Sequence, residues 1–380
     1  MANLNVLHIV PYVGDEASGP AYCVPAICDS LQKKGCQISL YTLNPLPEKK
    51  FSFQINGFQR SNFPHPAFGR SPEMYKALLK EVNNVDIIHN HSLWMAPNIY
   101  SGLVSKKYGI PYICTPHGTM SQKALQRSNW KKKIALTLGQ QLALDYTTCF
   151  HATAVHEVND INAYCSGKPV SMIPNGVDIP PLIPIKKSKR KKLMFLGRIH
   201  PIKGIENLIK SWSQLEDKFT EWDLEIIGLG DVGYTNTLLN LIKSLDLTRV
   251  NLLDPVFGED KNAVYQKANI YVLPSFSENF GMTIAEALAN ATPVITTDAT
   301  PWADIEKRKC GWYIPVGQES LKATLEIALN KTSNELSEMG KKGREWMNED
   351  FSWDSLAEDM IATYNWVLSN KNKPNCIVNE

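Results

Sequence analysis

Short apolar runs alternate along the chain with longer stretches whose apolar residues recur three and four apart. The short runs read as strands buried on both faces, the longer stretches as the helices that cover them. A first series has strands at residues 5–10, 37–42, 85–90, 111–115, 150–154 and 170–173, with helices over 21–34, 97–108, 130–145 and 156–164. Residues 44–72, rich in Pro, Phe and Asn and without periodicity, read as a long irregular excursion. A second series starts with a strand at 193–196 and continues with strands at 224–227, 250–252, 270–273 and 293–296. Its helices end near 215, cover 235–245 and 261–268, and resume just after Gly281. A last helix, 352–369, carries Trp353, Leu356, Met360, Tyr364 and Val367 at helical spacing.

Strand and helix in alternation predict parallel sheets with right-handed crossovers. Two such series predict an α/β fold of two Rossmann-like lobes facing each other across a cleft. The expected division is 1–178, a linker at 179–192, a second domain at 193–351, and a helix and tail at 352–380 packing back on the first lobe. The linker holds Pro180, Pro181 and Pro184 and then a run of Lys and Arg from Lys186 to Lys192, read as a stiff, solvated connection.

Composition narrows the partners. The 380 residues suit two domains, and a formal net charge of +2 argues against a nucleic-acid partner. No apolar stretch approaches the roughly 18 residues of a membrane span. Met1–Asn5 lacks the features of a signal peptide and reads as the approach to a strand. The eight cysteines form no Cys-x-x-Cys pair, which fits a reducing cytoplasm. His89 and His91 share one face of a strand, but no carboxylate or third ligand stands near them in the sequence, so no metal is expected.

The helix at 130–145 admits two readings. Trp130, Ile134, Leu138 and Leu142 lie four apart, with Lys131, Lys132 and Lys133 beside them and Arg127 just ahead. The preferred reading is a core-facing stripe with a solvated basic shoulder. The other is a surface that meets an anionic lipid headgroup or a lipid-linked acceptor at the inner face of the membrane.

The chemistry concentrates at residues 274–289, Pro-Ser-Phe-Ser-Glu-Asn-Phe-Gly-Met-Thr-Ile-Ala-Glu-Ala-Leu-Ala. A loop leaves a buried strand and enters a helix, whose unpaired N–H groups attract phosphate. Glu278 and Glu286 flank that helix start and can accept hydrogen bonds from sugar or ribose hydroxyls. Arg198 and Lys203, after the strand at 193–196, would lie at the carboxyl edge of the same sheet and can neutralise a leaving diphosphate without a metal. Phosphate and hydroxyl recognition in one place suits a nucleotide-sugar. In the first series, Ser18-Gly19-Pro20 stands at the first strand-to-helix turn and His117-Gly118-Thr119 at a strand's carboxyl end, both favourable positions for a ligand.

These motifs resemble those of the retaining glycosyltransferases of family four, the group 1 glycosyl transferases of GT-B fold. The resemblance rests on Glu278 and Glu286 within their segment, on Gly197-Arg198-Ile199-His200-Pro201-Ile202-Lys203-Gly204, on Asn175-Gly176-Val177-Asp178, on Pro116-His117-Gly118-Thr119 and on the Gly19 loop. It covers nearly the whole chain, with the motifs in the family's order. It departs at Ser18-Gly19-Pro20, where many members carry two adjacent glycines.

The resemblance implies roles. Arg198 and Lys203 would hold the donor diphosphate and Glu286 the ribose. Glu278, with the N–H groups of Asn279, Phe280 and Gly281, would hold the transferred sugar. Met282 and Thr283 would contact phosphate, Gly19 would approach the diphosphate, and His117 the donor sugar; the base would lie near residues 228–230 and 254–258. The implied catalytic set is Glu278, Arg198, Lys203 and His117. The implied activity is metal-independent transfer with retention, from a nucleotide-diphosphate-sugar (UDP before GDP) to a lipid-linked oligosaccharide of surface polysaccharide synthesis, with no separate cofactor. A nucleotide-sugar 2-epimerase of the same fold and a non-catalytic nucleotide-sugar-binding protein are the alternatives. A glycoside hydrolase would leave the cations unexplained, and a dehydrogenase would need Gly-x-Gly-x-x-Gly at the first turn.

Overall fold

The computed structural model describes residues 4–14, 19–63, 65–126, 129–183, 190–258 and 260–378, apart from the side chains of residues 123, 129 and 131. Ser18, Arg127, the Lys131 side chain and linker residues 184–189 lie outside the described residues.

The strands, in chain order, are β1 (Asn5–Tyr12), β2 (Gln37–Leu43), β3 (Gln54–Phe58), β4 (Ile87–His91), β5 (Tyr112–Thr115), β6 (Cys149–Ala152) and β7 (Val170–Met172). They continue with β8 (Lys191–Leu196), β9 (Trp222–Ile227), β10 (Val250–Leu253), β11 (Ile270–Leu273), β12 (Val294–Thr297), β13 (Gly311–Ile314) and β14 (Ile377–Val378). Two compact units result. One is Met1–Gly176 with Trp353–Glu380, the other Val177–Ser352.

In the first unit the strand order is β14-β7-β6-β5-β4-β1-β2-β3, parallel except for the short terminal β14. Apolar residues cover both faces: Val24, Leu31, Leu356 and Met360 pack on one, Met74, Val104, Leu144 and Ile161 on the other. The chain runs outward from β1 through β2 to β3, then returns to lay β4 against the other side of β1. In the second unit the order is β10-β9-β8-β11-β12-β13, all parallel, and the same reversal falls between β8 and β11. Such switch points open a crevice at the carboxyl ends of the strands, where α/β sheets bind ligands.

Three expectations need correction. Residues 44–72 are not all irregular: β3 lies within them and pairs in parallel with β2 at the sheet edge. The helix Pro72–Glu81 then starts on Ser71, whose hydroxyl accepts from the Met74 N–H at 3.3 Å, with Pro72 at the first helical position. The described end of the basic run, residues 190–192, is not a free solvated link. Arg190 pairs with Asp223 at 2.7 Å, and Lys192, inside β8, pairs with Glu225 of β9 at 2.5 Å. Cross-strand opposite charges draw these residues into the sheet.

The third concerns residues 130–145. The helices Asn129–Ala135 and Gln141–Tyr146 are separated by a wide turn, Leu136–Gln140, in which Gly139 has φ 120°. Ala135, Gly139, Ala143 and Leu144 are buried, whereas Trp130, Ile134, Leu138 and Leu142 are 59, 37, 61 and 46 % exposed. The small residues face inward because the helix Ala96–Tyr108 approaches closely: a Cβ on Gly102 would stand 2.1 Å from that of Ala143. The large apolar residues are therefore displaced outward.

Candidate functional site

In the second unit, the loops after β8 and β11 leave neighbouring parallel strands at the switch point, and this brings together residues 75 positions apart. Gly204, at φ 70°, ends the turn Pro201–Lys203; a Cβ there would stand 2.1 Å from the Pro274 carbonyl, so only glycine lets the two loops approach this closely. The Phe276 N–H donates to the Ile202 carbonyl at 2.8 Å and ties them. The Lys203 ammonium thereby donates to Glu278 Oε1, which also accepts from the Ser275 hydroxyl at 2.6 Å. Both members of the pair are mostly buried, at 16 and 11 % side-chain exposure. An ammonium has three donors, so two remain beyond the one given to Glu278. Arg198, on the same loop, is exposed and has no partner among the described residues.

Gly281, at φ 82°, turns the chain into the helix Met282–Ala289. Phe280 is buried beneath it, its carbonyl accepting from the Trp302 indole at 2.5 Å. Glu286, one turn into the helix, pairs with Lys261 at 2.6 Å and accepts from the Tyr265 hydroxyl at 2.8 Å. Lys261 and Tyr265 lie on the helix Asp260–Lys267, which leads into β11, so helices on both sides of one strand converge on this carboxylate. Tyr271, fully buried in β11, donates to the Leu196 carbonyl at 3.0 Å. Burial raises its pKa well above the ordinary value; contact with the Thr283 hydroxyl opposes this, and Glu278 and Glu286 add to it. One hydroxyl thus feels both carboxylates. Sequence reasoning missed Lys261, Tyr265 and Tyr271, because nothing in their helix and strand patterns distinguishes them from covering residues.

In the first unit, Gly19 opens the helix Gly19–Lys33, and a Cβ there would meet nothing within 4 Å. His117 and Gly118 follow β5 at φ 52° and 76°. The turn is held by Glu157, fully buried, whose carboxylate accepts from Gly118 N–H at 2.5 Å, Thr153 N–H at 2.7 Å and the Thr153 hydroxyl at 2.8 Å. Burial raises the Glu157 pKa against the pull of these donors.

The pair His89 and His91 does have a third imidazole beside it: His8, opposite His89 on β1. Ligand-capable atoms of the three lie within 4.8 Å of one another, but every ring nitrogen already meets a partner. His117, His91, His8, Tyr364, His89, Thr115 and His151 form a continuous line of side chains across the sheet, with Tyr364 supplied by the helix Trp353–Ser369. Burial lowers the pKa of His8 to about 3 and of His151 to about 4, with that of His117 also near 3 and those of His89 and His91 well below the ordinary value. These rings are neutral at neutral pH.

Two parallel-sheet α/β units, each with charged or polar side chains at its switch point, make up the GT-B architecture of glycosyltransferases. The family described as Glycosyltransferase Family 4 matches residues 17–179, and that described as Glycosyl transferases group 1 matches residues 183–346. The chain belongs to this family of glycosyltransferases. It is 24 % identical to D-inositol 3-phosphate glycosyltransferase of Corynebacterium glutamicum (strain R), over 95 % of this chain and 94 % of the relative. Sucrose-phosphate synthase from Thermosynechococcus elongatus superposes with a TM-score of 0.74 at 19 % identity, covering 97 % of this chain and all of that one. The Anabaena protein HepE in complex with UDP-glucose gives 0.73 at 15 % identity, covering 95 % of this chain and 99 % of its own.

Proposed function

We propose that this glycosyltransferase moves a sugar, with retention of configuration and without a metal ion, from a nucleotide-diphosphate-sugar to an acceptor hydroxyl. The observation that carries this reading is the placement of Lys203, Glu278 and Ser275 at the switch point, with Glu286, Lys261 and Tyr265 on the helices flanking the same strand. Arg198 and Lys203 hold the diphosphate, Glu286 the ribose, and Glu278 the transferred sugar with the N–H groups of Asn279, Phe280 and Gly281. Met282 and Thr283 meet phosphate at the helix start; Gly19 and His117 are the first unit's contributions. The bond from C1 to the diphosphate oxygen breaks, the acceptor oxygen bonds to C1 on the same face, and its proton passes to the departing phosphate. Neither glutamate need be the base. The UDP-glucose held by HepE supports a UDP-sugar before a GDP-sugar.

The acceptor in this reading is a lipid-linked oligosaccharide of surface polysaccharide synthesis, reached from the cytoplasmic face of an anionic membrane. The exposure of Trp130, Ile134, Leu138 and Leu142 beside the exposed Lys133 supports it, since an apolar stripe edged with cations suits such a surface.

Transfer assays on Glu278→Gln and Arg198→Ala test the site. Losses of about 10²-fold or more are expected from lost transition-state stabilisation. Near-normal turnover in both folded variants would sink the assignment, and an inverted linkage in the product's NMR spectrum would refute retention. Donor incubated without acceptor separates transfer from epimerisation, which would convert it alone.

A further inference from the structure

The line of side chains in the first unit has a direction. It begins at the Ile173 carbonyl, which only accepts, so His151 must donate from Nε2 at 2.8 Å. A neutral imidazole has one donor and one acceptor nitrogen, and a hydroxyl has one hydrogen. His151 Nδ1 therefore accepts from the Thr115 hydroxyl at 2.9 Å, and Thr115, its hydrogen used, accepts from His89 Nε2 at 2.7 Å. His89 Nδ1 then accepts from Tyr364 at 2.8 Å, and the Tyr364 oxygen accepts from His8 Nε2 at 3.3 Å. His8 Nδ1 accepts from His91 Nε2 at 2.9 Å, and His91 Nδ1 accepts from His117 Nε2 at 3.1 Å. No link can be reversed alone without leaving two donors or two lone pairs facing each other in the core.

The line ends at His117 Nδ1. That atom has no protein partner among the described residues, and it is not one of the buried polar atoms left without one; the residue itself is half-buried. Among the described residues nothing meets its lone pair.

We infer that the Ile173 carbonyl, acting through His151, Thr115, His89, Tyr364, His8 and His91, fixes His117 in the Nε2–H tautomer, so that its Nδ1 accepts a hydrogen bond from a hydroxyl of the transferred sugar and disfavours a group there that only accepts. This rests on the reading that His117 meets the donor sugar. The six other residues touch no ligand in this account; they are positioning residues that set a specificity. A donor carrying a hydroxyl toward His117 is bound, whereas one carrying a carboxylate, a fluorine or hydrogen at that carbon loses the bond. The asymmetry is chemical: two lone pairs repel, and a buried acceptor without a donor costs free energy.

The test is ¹⁵N NMR of the full chain with labelled histidine, assigned through His117→Asn. The expected spectrum at neutral pH has His117 protonated at Nε2 and bare at Nδ1. Thr115→Val keeps the shape but cuts the line, and Tyr364→Phe cuts it elsewhere should the first variant fold poorly. Either is expected to turn His117 into a mixture of tautomers and to raise the donor KM roughly ten-fold, the scale of one lost hydrogen bond. Thr115→Ser, which keeps the hydroxyl, is expected to restore both. A His117 protonated at Nδ1 in the parent, an unchanged tautomer in both cut variants, or stoichiometric zinc bound through His8, His89 and His91 would overturn the inference. The two readings fail separately. The expected tautomer with donor binding indifferent to His117→Asn sinks the sugar contact and the specificity, while the wrong tautomer with donor binding lost in that variant sinks only the directed line.

Discussion

The hydroxyl oxygen of Tyr364 lies 2.8 Å from Nδ1 of His89, although 275 positions separate them in the chain. The last helix is thus part of the first unit's core rather than an appendage, and Leu356, Ala357 and Met360 are buried beside the helix Gly19–Lys33. Tyr364→Phe leaves His89 Nδ1 without a donor and His8 Nε2 without an acceptor. A loss of about 1–3 kcal/mol is expected, the desolvation cost of a buried polar group left unpaired. Urea unfolding measures it, and an unchanged midpoint would contradict the bond.

The neutral buried histidines make the stability depend on pH. The pKa values of His8 and His151 fall from 6.5 in the ordinary state to about 3 and about 4 in the fold. The unfolded chain therefore binds protons that the fold refuses. Stability is full above pH 6.5 and falls as the pH drops from there toward 4, by up to about 1.4 kcal/mol per pH unit for each histidine. Denaturation midpoints at a series of pH values check this; a flat profile over that window is the contrary result.

Lys261 and Tyr265 hold the Glu286 carboxylate from the neighbouring helix. Tyr265→Phe frees Glu286 to turn, so the donor KM is expected to rise about 3- to 10-fold, the range of one hydrogen bond, with kcat little changed. A fall in kcat at constant KM would place Glu286 nearer the chemistry than the ribose. Steady-state kinetics with varied donor distinguish the two.

Gly204→Ala sets a Cβ against the Pro274 carbonyl and strains a residue at φ 70°. The loop after β8 must shift, and Lys203 with it. A drop of about 1–3 kcal/mol in stability is expected together with lost transfer. Calorimetry and the transfer assay measure the two effects, and a variant as stable and active as the parent would show that the loops separate without cost.

Leu138→Glu lies on the exposed stripe, at 61 % exposure, and is expected to change stability by no more than about 0.5 kcal/mol. It is also expected to abolish flotation with anionic vesicles. A strongly destabilised variant would mean that the stripe is covered by protein after all.

Much of the fold was legible in the chain, because buried parallel strands are continuous apolar runs and their helices show the 3.6-residue period. The strand before Pro274, the glutamates around the following helix and the cations after Leu196 could all be found in order. The edge strand Gln54–Phe58 was not, since an edge is only half covered and its pattern is diluted. The inward face of residues 130–145 was misread for a different reason. Periodicity identifies an apolar face, whereas close packing on Gly102 selected the small-residue face beside it.

By itself the sequence determined the alternation of elements, the family's motifs and the residue types available for phosphate and hydroxyls, since these depend on local patterns and short spacings. Only the tertiary structure decided which side chains meet. It joined Lys203 to Glu278, placed Lys261 and Tyr265 on Glu286, and threaded His8, Thr115, His151 and Tyr364 into one line with His89, His91 and His117. Those contacts depend on strand order. The reversals between β1 and β4 and between β8 and β11 are properties of the sheet, and no spacing along the chain encodes them.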